Sequence, residues 1–292
     1  MKYFLLTTLF LLFPQFGVPE EHISDSLEIT HNGEIIAIVN RVDFTNPYLD
    51  TPLLELDSFE KFVADIETKV YQPPENAMIS DSGKMVDEKI GHKLNYKKFT
   101  ELFYDFFYHY GQLKIEAPLT SVYPKVDSEL LSNIHTQHIG RYVTYFRVGN
   151  KQRVHNIELA AEAINNHVVF PGEIFSFNKV VGKRTKEKGY LPAPVIVKGE
   201  LSEGIGGGIC QVSSTLFNAV DKAGLKIIER YSHSRSVPYV PPGRDATVSW
   251  YGPDFTFKNN YNQPILLRTK VLHGQLIVNV FSSDSINYQP KH

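Results

Sequence analysis

The chain has 292 residues, 42% of them hydrophobic and 21% charged, with a formal net charge of −2. That length holds two modest domains or one large one. Basic and acidic residues are interspersed, so the basic stripe of a nucleic-acid-binding surface is missing and nucleic acid is not expected as a partner. The chain has one cysteine, Cys210, so no disulfide can close within it.

The N-terminus carries Lys2 and then runs uncharged from Tyr3 to Pro19, with its apolar core at Tyr3 to Phe13. This stretch is short for a bilayer span and fits the h-region of a secretory signal over residues 1–20. It has no A-x-A cleavage pattern, which leaves an uncleaved membrane anchor as the other reading, and no cysteine that could carry a lipid. Either way an extracellular protein is expected.

From residue 25 the pattern is that of a small α+β module reaching to about residue 130. "LEITHNGEIIAIVNRVDF" reads as two strands joined by a type I′ turn at Asn32-Gly33. Phe59, Phe62, Val63, Ile66 and Val70 mark one face of a helix that Pro73-Pro74 ends. A short hairpin turning at Asp81-Ser82-Gly83 follows. A second helix begins at a capping Asn95, with Phe99, Leu102, Phe103, Phe106, Phe107 and Tyr110 in a stripe. At helical spacing such a stripe predicts core rather than a ligand groove. The strand "QLKIEAPL" completes the module.

A polar stretch, "TSVYPKVDSELLSNIHTQHIGRY", is taken as the boundary, and a second, mixed α/β module is expected over residues 139–285. "NIELAAEAINNHVVF" predicts a helix with Ile157, Ala160, Ala161 and Ile164 inward. A turn and strand over "PGEIFSFNKVVG" and a basic loop leading to the strand "APVIV" come next. "GIGGGICQVSSTLFNAV", residues 204 to 220, is a glycine run entering a helix with Val212, Leu216, Ala219, Val220 and Ala223 on one face and Gly224 as its stop. The C-terminal part is strand-rich: "LKIIERYSHS", "ATVSW", "DFTFKN", and a terminal hairpin of "PILLRTKV" and "QLIVNVF" around His273-Gly274.

An unpaired cysteine in an exported protein is a buried small hydrophobe, a link to another chain, or a working thiol. Its position at the start of a helix favours the last. Free amide N–H groups and the positive end of the helix dipole point there. An ordinary thiol is only about 3% thiolate at neutral pH, and lowering its pKa by about two units, roughly 2.7 kcal/mol, makes thiolate the majority form. Gly207 and Gly208 clear the approach, and the same N–H groups are candidates to hold an oxyanion. A phosphate loop would need Lys-Ser or Lys-Thr after the glycines, a dinucleotide fingerprint a glycine at Ile209, and a zinc site more thiols or a tight histidine cluster. Neither metal nor organic cofactor is therefore expected.

Of the eleven histidines, His233 in "ERYSHSRSVPYVPPGRDATV" is the best-placed base, expected at the end of a strand; a surface histidine is the alternative. Asp245 could orient its imidazole in a Cys-His-Asp arrangement, or merely cap a turn beside Gly243. His155 and His167 are weaker candidates. Arg235 and Arg244 are candidates for a substrate carboxylate, or are solvated charges.

"PGEIFSFNKVVGKRTKEKGY", "GGGICQVSSTLFNAV", "ERYSHS", "VPYV", "GRDATV" and "DFTFKNN", in this order over about residues 140 to 270, resemble the VanW family, named after an accessory protein of glycopeptide-resistance gene clusters. "VYQPPENAMISDSGKMVDEKIGHKLNYKKFTELF" resembles, more loosely, a peptidoglycan-binding module found ahead of such domains. The resemblance implies a cell-wall protein whose partners are peptidoglycan stem peptides and glycan. It further implies an L,D-transpeptidase that forms 3-3 cross-links through a thioester on the cysteine of the GGGxCQ motif. That motif places the nucleophile at Cys210 and Gln211 beside it. The Ser-His-Gly-Cys motif of the YkuD-type L,D-transpeptidases is absent. Two other functions fit the same residues: a non-catalytic peptidoglycan-binding accessory protein, and a cysteine peptidase or L,D-carboxypeptidase acting on stem peptides.

Overall fold

The computed structural model describes residues 25–45, 53–109, 111–197 and 200–289. The predicted leader at 1–20 and Tyr110 of the aromatic stripe lie outside the described residues. The fold is mixed α+β with no barrel, as the sequence pattern predicts. Among the described residues no helix is long and apolar enough to cross a membrane.

The chain forms two compact units. One comprises residues up to Pro73 together with Gly91–Val122, and the other comprises Pro74–Ile90 and Tyr123–His292. The chain thus passes between the units three times, and the short hairpin around Asp81-Ser82-Gly83 belongs with the second unit.

In the first unit, strand Ser26–His31 is the middle of three. It pairs antiparallel with Glu34–Asn40 and parallel with Leu113–Glu116. Asn32 and Gly33 both take positive φ, 53° and 82°, as a type I′ turn demands. Helices α1 (Leu56–Val70) and α2 (Tyr96–Tyr108) supply the core. The Asn95 side chain accepts the Lys98 N–H and so caps α2. Phe59, Phe99, Phe103 and Phe107 are buried to within 1% of full exclusion, against Leu27 and Ile29 of the middle strand. Here the aromatic stripe is spent on packing.

The second unit is built on a four-stranded antiparallel sheet in the order Gln137–Tyr145, Gln275–Ser282, Ile265–Leu272, His167–Val169. The stretch read as a polar boundary contains helix α3 (Ser128–Ile134) and the first of these strands. Its alternation was masked by polar and charged residues on the solvent side. The His273-Gly274 turn takes φ of 49° and 79° and closes the terminal hairpin as expected. Helix α4 (Lys151–Ile164) packs on strand Ile265–Leu272. Short helix α5 (Phe177–Val181) follows strand Ile174–Ser176, where only a strand was predicted. A two-stranded ribbon, Pro192–Val197 with Glu200–Ile205, leads into α6 (Ile209–Lys222), which lies against the two strands at the edge of the large sheet. The hairpin Met78–Ile79/Met85–Val86 is tied to this unit by Asn166, whose amide exchanges two hydrogen bonds with the Ile79 backbone at 2.9 and 3.1 Å.

Candidate active site

The glycine run has a separate reason at each position. Gly206 and Gly208 take φ of 84° and 109°, a region that L side chains rarely enter. Gly207 lies against the incoming ribbon, where a Cβ would come within 2.6 Å of the Ala193 and Pro194 backbone. Gly208 is the N-cap of α6, so Cys210 is its second residue. In this first turn the Ile209 N–H donates to Gly206 O at 3.3 Å and the Gln211 N–H to Gly208 O at 3.0 Å. Among the described residues the Cys210 N–H has no acceptor. An amide beside the sulfur is thus left for a developing oxyanion. The sulfur itself is partly buried, 3.8 Å from Thr247 Oγ1 and 3.6 Å from Val248 O.

His233 and Asp245 both reach this helix start from a loop. Strand Lys226–Glu229 stops short of His233, which corrects the expectation that the histidine sits at a strand end. Rigidity comes from hydrogen bonds instead. Arg230 Nη1 donates to Asp245 O at 2.6 Å, the Thr247 N–H donates to Tyr231 O at 2.8 Å, and Ser214 Oγ accepts the Ala246 N–H at 2.9 Å. One carboxylate oxygen of Asp245 accepts from both the backbone N–H and Nδ1 of His233, each at 2.6 Å. The two side chains are only 5% and 9% exposed. With Nδ1 held by the carboxylate, Nε2 is the nitrogen left for the thiol.

The charges agree with that geometry. Burial opposes a thiolate at Cys210, yet hydrogen bonding and charge from His233 leave the thiol below its ordinary value. Burial likewise opposes an imidazolium, yet Cys210 and then Asp245 raise His233 above its ordinary value. Burial works against the Asp245 carboxylate too, and its bonds from His233 outweigh it, lowering the group. Each partner favours the charged form of its neighbour, the pattern of a thiolate–imidazolium pair.

The thiol opens into a groove of about 1180 Å³ within the second unit. Arg147, Arg153, Lys183 and Arg184 line it, and among the described residues no carboxylate does. Tyr145, Trp250 and Tyr251 also line it and are exposed. Burial pushes the Tyr239 phenol on its wall well up.

The other sequence candidates fall in different places. Gly208 lines the groove, whereas Gly207 serves the turn from beneath, its carbonyl accepting from Asn156 Nδ2 at 3.0 Å. Gln211 is buried and positions rather than presents. Its Oε1 accepts from Arg153 Nη2 at 2.6 Å, while Nε2 donates to Thr144 Oγ1 and Tyr145 O at 2.9 and 3.1 Å. Arg244 is corrected outright: it donates to Asp221 and Asn218 at 2.8 and 2.7 Å and lies over the Phe217 ring, away from the thiol. Arg235 is exposed and does not line the groove. His155 bonds Gly189 O at 2.9 Å and His167 packs edge-on against Phe175, so neither serves the thiol. The arginines that do face the thiol, Arg153 and Arg184, gave no periodic signal, one opening a helix and one lying in a loop of many cations.

The family model described as VanW like protein matches residues 152–281. Over 283 residues the chain is 59% identical to uncharacterized protein YoaR of Bacillus subtilis, covering 97% of this chain and 92% of that one. The chain belongs to the VanW family. It is also 33% identical over 115 residues to vancomycin B-type resistance protein VanW of Enterococcus faecalis, 38% of this chain and 42% of that protein. No solved structure is significantly similar. The segment matched by the VanW model contains Arg153, Arg184, Cys210, His233 and Asp245. Among the described residues no group of three or more His, Cys, Asp or Glu side chains is placed to hold a metal ion.

Proposed function

We propose that this VanW-family chain acts outside the membrane on cell-wall peptidoglycan, as a cysteine-dependent L,D-transpeptidase. The observation that carries the reading is that Cys210 and His233 line one groove of about 1180 Å³, with His233 Nδ1 held by Asp245. The kinship with a vancomycin resistance protein supports a cell-wall setting. The likeness of residues 70–103 to peptidoglycan-binding modules points the same way.

The Cys210 thiolate attacks the carbonyl carbon of the third residue of a stem tetrapeptide. The oxyanion forms beside the Cys210 N–H. As the C–N bond to D-alanine breaks, His233 gives its Nε2 proton to the leaving amine, and a thioester remains on Sγ. His233 then takes a proton from the side-chain amine of a second stem, which attacks the thioester. The new amide is the 3-3 cross-link, and the thiolate is restored. With water as the acceptor the same steps release a tripeptide, as in an L,D-carboxypeptidase.

Mass spectrometry of disaccharide-tetrapeptides incubated with the full chain, and with its Cys210→Ala form, tests this. Stem dimers and free D-alanine with intact Cys210 only are expected. D-alanine release without dimers assigns the carboxypeptidase. Unchanged tetrapeptide from folded protein contradicts both.

A further inference from the structure

The stem of a different arginine lies against each of the two positive-φ glycines. A Cβ at Gly206 would come within 3.2 and 3.3 Å of Cβ and Cγ of Arg184, and one at Gly208 within 3.0 Å of Cγ of Arg153. Both arginines line the groove, and both interact electrostatically with Cys210. The glycine run therefore makes room for two guanidinium groups as well as for the turn.

Arg184 is held in place before any ligand arrives. Its Nη1 donates to Asn178 Oδ1 at 2.7 Å and to Gly182 O at 3.3 Å, and the guanidinium lies over the Phe177 ring. Asn178 is itself fixed, its amide donating to Ser249 O and Pro253 O and its N–H to Asp254. Yet Nη2 of Arg184 is buried and, among the described residues, donates to nothing. A buried donor without an acceptor is costly, and a guanidinium even more so. Arg153 is similarly set by Gln211, which takes one of its N–H groups. With Lys183 and Arg147 nearby and no acidic lining residue among the described residues, the groove is complementary to an anion.

We infer that Arg184, with Arg153 beside it, forms a subsite for the C-terminal carboxylate of a peptide whose scissile carbonyl lies at Cys210. This deepens the transpeptidase reading and rests on it. Arginine suits the task because its planar fork matches a carboxylate. The consequence is specificity: the site takes peptides ending shortly after the scissile bond and rejects internal bonds of longer chains, where no carboxylate meets the orphaned donor.

Trp250 is the only tryptophan and lines the groove, so its fluorescence reports occupancy. The probes are L-Ala-D-isoglutaminyl-L-Lys-D-Ala, whose sole carboxylate is C-terminal, and its C-terminal carboxamide. Both are titrated into the full-length Cys210→Ala form, which cannot turn over. The acid is expected to bind at least about tenfold more tightly than the amide. Adding Arg184→Gln brings the ratio below about twofold, and Arg184→Lys, keeping the charge without the fork, leaves an intermediate ratio. Equal affinities, binding of neither peptide, or a ratio that survives Arg184→Gln in a folded protein overturns the subsite. The acid-to-amide comparison needs no arginine variant, so a misfolded variant does not rescue the inference. Absence of turnover by the intact chain contradicts the transpeptidase reading, and the binding ratio still decides the subsite.

Discussion

Helices α2 and α6 have 13 and 14 residues and both bury apolar side chains, but α6 buries five polar residues as well. α2 buries Phe99, Phe103, Phe106 and Phe107, with the Thr100 hydroxyl as a buried polar group that has no partner among the described residues. α6 buries Gln211, Ser213, Ser214, Thr215 and Asn218, none more than 1% exposed. Each of these polar groups is bonded. Thr215 meets Thr144 on the sheet, and Gln211 holds Arg153. Ser213 and Ser214 bond Ala246, and Asn218 donates to Arg244 O at 2.7 Å. A phenylalanine stripe stabilises through burial that any similar shape provides. Buried hydroxyls and amides contribute little net free energy but accept only one arrangement of neighbours. The difference explains how an irregular loop carries His233 and Asp245 with the precision of a strand: the helix that bears the thiol also grips the loop that bears its base.

This contrast predicts that changes in α6 and its loop cost chemistry, while changes in α2 cost stability. His233→Ala should lower turnover by about 10²–10⁴-fold, the range of a lost general acid–base, roughly 2.7–5.5 kcal/mol of barrier. Melting should fall as well, because the buried Asp245 carboxylate loses its Nδ1 partner, so turnover is compared on folded protein. Phe103→Ala should cost about 3–5 kcal/mol, read as lost hydrogen-exchange protection in α1 and α2, with no change in the pH profile of Cys210 alkylation. Ser214→Ala strips the acceptor from the buried Ala246 N–H. About 1–3 kcal/mol of stability should go with it, and turnover should fall about tenfold to a hundredfold because the loop shifts. Equal loss of activity in the Phe103 and Ser214 variants, measured on folded protein, would break the comparison.

The thiol was legible because glycines and helix caps act over adjacent residues: the run at 206–208 and the periodicity after it place Cys210 without tertiary information. Most secondary-structure elements were legible for the same reason, whereas the hairpin read into the first module belongs with the second unit. His233 and Asp245 were found by residue type, but the strand expected to present the histidine ends at Glu229. No pattern encodes hydrogen bonds such as Ser214 to Ala246, which join residues far apart in sequence. The same limit hid which arginines line the groove. Arg244 lay near the motif in sequence, yet Asp221 and Asn218 occupy it. Arg153 and Arg184 reach the groove only because a helix start and a loop converge on the glycine run.

The central claim is that Cys210 is held as a thiolate by His233 and Asp245. Because Cys210 is the only cysteine, the pH dependence of its alkylation by iodoacetamide measures that directly. The Cys210 thiol is lowered and His233 raised, each shift favouring the ion pair. Reactivity should rise with pH through a midpoint below the ordinary thiol value of about 8.5. Turnover should rise through the same midpoint and fall as His233 loses its proton. His233→Ala should move the alkylation midpoint up, since burial is then opposed only by the weaker bonds to Val248 and Thr247. A midpoint at or above the ordinary thiol value in the unaltered chain, unmoved by His233→Ala, would contradict the account.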